Sequence, residues 1–138
     1  MPLHYLLDTN ALSDATGSRA NLGVLDGMRR HWQSICTAST VWNELLFGVW
    51  RMPHGTKRAA LEAFLDQLAT SLDILPYDRE ASVWHATVRV RLAREGIATP
   101  FNDGQIAAVA AVNGLAVVTA NVGDFRPFKD LKVEDWRT

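Results

Sequence analysis

Four acidic residues sit at the ends of apolar segments, and the fold must account for all of them. They are Asp8 in Leu6-Leu7-Asp8-Thr9-Asn10, Glu44 in Val41-Trp42-Asn43-Glu44-Leu45, Asp103 in Asn102-Asp103-Gly104-Gln105-Ile106, and Asp124 in Asn121-Val122-Gly123-Asp124-Phe125. A carboxylate beside a core-forming run costs desolvation energy unless positive charge offsets it. No lysine or arginine is next to any of the four in sequence. A hard divalent cation would supply that charge.

The rest of the chain alternates short apolar runs with helical periodicity. Leu3 to Leu7 reads as a buried strand ending at Asp8, with a short helix from about Asn10. A second helix covers about Ala20 to His31, and Ser34 to Thr37 is a strand. Ser39 or Thr40 is expected to cap a helix that runs to about Arg51 and stops at Pro53. Gly55-Thr56 opens the next helix, and Gly17-Ser18 and Pro53 to Thr56 read as loops. Leu72 to Leu75 is a strand, and Asp78 caps a long helix closed by Gly96. Asn102 is expected to cap a helix from Asp103 to Val112, with Gln105 in the capping-box position. Leu115 to Thr119 is a strand, and Val133 belongs to an edge strand. This order predicts an α/β fold: residues 1–138 as one three-layer domain, with a mainly parallel sheet flanked by helices.

Composition narrows the function. Hydrophobic residues make up 48% of the 138-residue chain and charged residues 21%, as in an ordinary globular protein. The net charge of -1 argues against a protein that coats nucleic acid. The one cysteine, Cys36, reads as a buried apolar group in a reducing, cytoplasmic setting. No secretory leader or membrane span is expected, because the longest apolar stretch, Ile106 to Ala120, is short and broken by Asn113-Gly114.

In a parallel sheet each strand feeds a helix at its carboxyl edge, where ligands of open sheets bind. Asp8, Glu44, Asp103 and Asp124 all map to that edge. Each acid alone has a plain alternative: Asp103 as a helix-dipole charge, Asp124 as a turn former, Glu44 as part of an exposed helix face. Their joint placement favours a cation. Oxygen-only ligands suit magnesium or manganese over zinc. Such an ion activates water and stabilises a leaving oxygen, which fits phosphodiester hydrolysis.

These residues also carry a family resemblance. Leu6 to Asn10, Glu44-Leu45 with Gly48, Asn102-Asp103 with Ile106-Ala107-Ala108, and Thr119-Ala120-Asn121 with Asp124-Phe125 resemble the PIN-domain ribonucleases. More narrowly they resemble the VapC toxins of bacterial toxin–antitoxin pairs. The resemblance implies a magnesium- or manganese-dependent endoribonuclease with Asp8, Glu44, Asp103 and Asp124 as metal-binding and catalytic acids. Thr9, Asn10 and Asn121 would orient ligands or water. It further implies an RNA substrate, a cognate antitoxin and a homodimer. Two departures stand out: Val41 occupies a place where many relatives carry threonine, and Asn121 one where some carry aspartate. A haloacid-dehalogenase-like phosphatase is a rival, but it needs a second acid where Asn10 stands. A non-catalytic PIN-like binding module is the other.

The helix around Glu44 has two apolar stripes, Val41-Leu45-Val49 and Trp42-Leu46-Trp50. The first is expected to pack on the sheet and the second to meet a protein partner. Trp32, Trp136 and the four histidines read as packing residues. The basic positions, Arg89 and Arg91 among them, read mainly as solvated faces, with some able to steer RNA.

Overall fold

The computed structural model describes residues 2–17 and 19–138. Among these there are five strands and seven α-helices, in the order read from the pattern except for the short helix Val122–Phe125, which the pattern does not predict. The first strand, β1 (Tyr5–Leu7), leads to α1 (Thr9–Asp14) and α2 (Leu22–Arg30). β2 (Ile35–Ala38) leads to α3 (Ser39–Trp50) and α4 (Thr56–Ser71). β3 (Asp73–Leu75) leads to α5 (Arg79–Arg94) and α6 (Phe101–Val112). β4 (Ala116–Val118), α7 (Val122–Phe125) and β5 (Val133–Glu134) complete the order.

The strands form one sheet in the order β3-β2-β1-β4-β5, and every pairing is parallel. The sequence pattern predicts a mainly parallel sheet; this one is wholly so. Leu6 and Leu7 of β1 are completely buried because β1 is central and covered on both faces. Burying each such side chain contributes roughly 1.5–3 kcal/mol. Register places Leu7 beside Val118, so the residues that follow, Asp8 and Thr119, emerge together at the carboxyl edge. The Asp8 N–H donates to the Val118 carbonyl at 3.0 Å, and the Thr37 hydroxyl donates to the Leu7 carbonyl at 2.8 Å. These bonds fix the edge on which the acids sit.

Three helix starts differ from expectation. α2 begins at Leu22, because the Asn21 side chain accepts from the N–H groups of Gly23 and Val24 and stops the helix short of Ala20. α3 begins at Ser39 after extended Ala38, so neither Ser39 nor Thr40 is its cap. The Ser39 hydroxyl instead accepts from the Tyr77 N–H at 3.3 Å. α6 begins at Phe101 after Pro100, one residue before the expected cap Asn102. Asn102 and Gln105 make no capping box there; the Asn102 amide is drawn to Glu44. Asp78 does cap α5, accepting from Ala81 N–H at 3.0 Å, and Gly96 ends that segment with a φ of 71°. Gly17 is a left-handed turn residue, and Ser18 of the same predicted loop lies outside the described residues.

Val41, Leu45 and Val49 of α3 are buried, as their stripe predicts. The second stripe is only partly covered: Trp42 and Leu46 are half-buried and Trp50 is exposed, beside exposed Phe47. α6 is buried along most of its length, with Ile106, Ala107, Ala108, Val109 and Ala110 all inaccessible. Its small residues let it lie close to the sheet. The approach to α5 is equally close: His85 is buried against Gly104, and its Nδ1 meets the Tyr77 hydroxyl at 2.8 Å. A Cβ at residue 104 would overlap the imidazole ring. Gly104→Ala is therefore expected to destabilise the fold by roughly 1–3 kcal/mol in urea denaturation. A variant as stable as the parent would show that the ring swings aside freely.

Candidate active site

Asp8 is the most deeply placed of the four acids, at 4% exposed. It ends β1 and caps α1 in one step, its Oδ1 accepting from the Ala11 N–H at 2.9 Å. Burial pushes its carboxyl above the ordinary aspartate range. The Thr119 side chain and the N–H groups of Ala11 and Asn10 partly counter that by hydrogen bonding to the charged form. Asn10 thus acts on Asp8 through its backbone; its exposed side chain makes no hydrogen bond among the described residues.

Glu44, in the second turn of α3, joins three segments. Its Oε2 accepts from the Thr9 hydroxyl at 2.6 Å, and its Oε1 accepts from the Asn102 amide. The carboxylate thus ties the start of α1 to the start of α6. Val41, which stands where many relatives have threonine, is fully buried and apolar. Thr9 and Asn102 hold the glutamate instead.

Asp103 lies in the first turn of α6 and is half-buried. Its carboxyl is pushed up to about 6, first by burial and then by the charges of Asp124, Asp8 and Glu44. Asp103 therefore lies within reach of the charges of the other three acids. Asp124 lies in the first turn of α7 and is exposed. Asn121 precedes that turn; its N–H donates to the Thr119 hydroxyl at 2.9 Å, and its carbonyl accepts from the Asp124 N–H at 3.0 Å. Two further residues contribute that the sequence pattern does not mark as site residues: Asn102, which the pattern predicts as a helix cap, and Thr119. The register of β1 and β4 places Thr119 beside Asp8, a signal that only strand pairing supplies.

The donor set is oxygen only, which suits magnesium or manganese. Among the described residues none of the four acids pairs with a lysine, arginine or histidine. Their mutual repulsion is thus not offset by protein cations. Among the described residues no three His, Cys, Asp or Glu side chains are gathered tightly enough to hold an ion as they stand. Both Glu44 oxygens are engaged by hydrogen-bond donors, Thr9 and Asn102. In donor chemistry and unpaired negative charge the four acids fit a hard cation.

Asp103 and Asp8 hold a proton more tightly in the folded chain than in the unfolded one, where an aspartate titrates near 3.8. The fold then binds more protons between those values. Stability of the metal-free protein should fall as pH rises from about 4 to about 6 and stay lower above that. Asp103→Asn should raise metal-free stability at pH 7.5 by on the order of 1 kcal/mol and leave it unchanged near pH 3.5. Thermal melts in chelator at both pH values check this. A large loss of stability at pH 7.5 would make Asp103 a structural carboxylate.

Comparison with known proteins agrees with this geometry. The PIN domain family model matches residues 5–130. The tRNA(fMet)-specific endonuclease VapC of Shigella flexneri is 30% identical over 136 residues, covering 97% of this chain and 98% of that protein. Its counterpart from Salmonella typhimurium is 27% identical over 135 residues, with the same coverage. The DNA-bound VapBC structure from Salmonella typhimurium superposes with a TM-score of 0.86 at 26% identity, covering 97% of this chain and 98% of that one. FitAcB from Neisseria gonorrhoeae gives 0.83 at 28% identity, covering 95% and 96%. A carboxylate cleft at the carboxyl edge of a parallel sheet, matched along nearly the whole chain, places this protein in the PIN domain family, among its VapC-type members.

Proposed function

We propose that this chain is a magnesium- or manganese-dependent endoribonuclease, residues 1–138 working as one nuclease domain, and the toxin of a toxin–antitoxin pair. The observation that carries the reading is the placement of Asp8 at the end of β1, of Glu44 in the second turn of α3 and of Asp103 and Asp124 in the first turns of α6 and α7, with no protein cation paired to any of them among the described residues. Asp8 and Asp103 would be the principal ligands, with Asp8 oriented by Ala11 N–H and Thr119. Glu44, steadied by Thr9 and Asn102, and Asp124, the fourth acid in preference to Asn121, complete the negative ring and orient the attacking water. When bound, the ion lowers the pKa of that water and stabilises the leaving oxygen. Asn10 contributes its N–H to Asp8.

Similarity to VapC endonucleases supports an RNA substrate, and similarity to VapBC and FitAB complexes supports an antitoxin partner. Exposed Phe47 and Trp50 on α3 leave an apolar surface for a protein partner, in line with a homodimer or antitoxin contact. Among the described residues no helix is long and apolar enough to cross a membrane, in keeping with a cytoplasmic protein.

Asp8→Asn is the direct test. Asparagine caps a helix about as well as aspartate, so the fold should survive while RNA cleavage falls by roughly 100-fold or more. Cleavage as fast as the parent's, with contaminating nuclease excluded, would sink the assignment. Magnesium or manganese at about 100 times its Kd should stabilise the parent by roughly 2.7 kcal/mol and shift its melting temperature upward. The same ion should move Asp8→Asn far less; an equal shift would put the ion elsewhere.

A further inference from the structure

A nuclease cleft ringed by carboxylates repels the polyanion it must cut. Some part of the rim has to hold the strand. Five of the eleven arginines are engaged with carboxylates: Arg29 and Arg30 with Asp26, Arg58 with Glu62, Arg91 with Glu95 (and the Pro127 carbonyl), Arg137 with Asp135. Of the other six, Arg89 is set apart by the ring it covers at the start of α6. It is exposed, and among the described residues no carboxylate pairs with it. Its Cζ lies 4.9 Å from the centroid of the Phe101 ring.

Phe101 is the first residue of α6, in the same turn as Asn102 and Asp103. A phenylalanine 52% exposed at that point is not explained by the core. Its ring is also braced: the buried His85 ring lies 4.9 Å away, and His85 is held by Tyr77. The second cation–π pair, Arg51 over Phe47, lies at the C-terminal end of α3, and nothing braces that ring as His85 braces Phe101 among the described aromatic contacts. A braced, exposed aromatic ring with an unpaired guanidinium is the usual equipment for single-stranded nucleic acid: a stacking face for a base and donors for a phosphate.

Resting on the ribonuclease reading above, we propose that Arg89 and Phe101 form a strand-holding subsite beside the acidic cleft. The Arg89 guanidinium takes a backbone phosphate, and the exposed ring of Phe101 stacks an unpaired nucleobase next to the scissile phosphate. Both are substrate-binding residues; neither takes part in bond cleavage.

The test uses the full chain with magnesium and a single-stranded RNA oligonucleotide that the parent cuts. Phe101→Leu keeps an apolar side chain without a stacking face, and Arg89→Gln removes the charge. Each should raise KM roughly ten-fold while kcat stays within about two-fold. Arg89→Gln should also lower the salt dependence of RNA affinity by about 0.7 in log–log slope, the loss of one phosphate contact on a single strand. Arg89→Lys should restore that slope but not the full affinity. Melting curves matching the parent's exclude a folding defect. A parent that cuts RNA, with both variants unchanged in KM and salt slope, overturns this subsite and leaves the nuclease reading intact. A parent that neither binds nor cuts any RNA removes the nuclease reading, and the subsite with it.

Discussion

Repulsion among like charges governs this molecule. Four carboxylates are brought to one edge of a sheet, and among the described residues no protein cation pairs with them. One of them, Asp103, carries the cost openly in a carboxyl raised to about 6. A fold does not retain such an arrangement for stability, because neutral residues at those places would cost less. The fold tolerates it because the surrounding layers are well buried: β1 and β4 contribute fully covered side chains, and α6 is almost wholly inside.

The polar contacts around the acids are distributed so that each segment secures another. Asp8 is strand end and helix cap at once. Glu44 takes one donor from α1 and one from α6. Thr119 serves Asp8 and also receives the Asn121 N–H. Elements far apart in sequence therefore meet at side-chain oxygens. The pair of half-buried Tyr77 and buried His85 extends this support outward, since His85 packs between α5 and the first turn of α6. Displacing that turn would move Asn102, Asp103 and Phe101 together.

The charge pattern also sorts the surface. Several peripheral cations, Arg29, Arg58 and Arg91 among them, pair with a carboxylate about one turn away, the ordinary state of a solvated helix face. Arg89 instead lies over the Phe101 ring at the start of α6. Cys36 is buried and its thiol is pushed up to about 12, so it stays protonated and packs as an apolar group, as its apolar setting predicts.

The sequence by itself determined the element order apart from α7, a mainly parallel sheet and the placement of Asp8, Glu44, Asp103 and Asp124 toward one edge. Those follow from apolar periodicity and from the rule that each strand of a parallel sheet delivers its helix at the carboxyl end, both local properties of the chain. It did not determine the start of α2, which Asn21 caps short of Ala20, nor those of α3 and α6, where a side chain expected to cap its own helix bonds a distant group instead. Asn102 chose Glu44, 58 positions away, and Ser39 chose the Tyr77 N–H. Nor could it reveal Thr119 beside Asp8, or Arg89 over Phe101, since strand register and the packing of α5 on α6 create those neighbours. Local preference is written in adjacent residues; competition between a local bond and a remote one is decided only when the whole chain has folded.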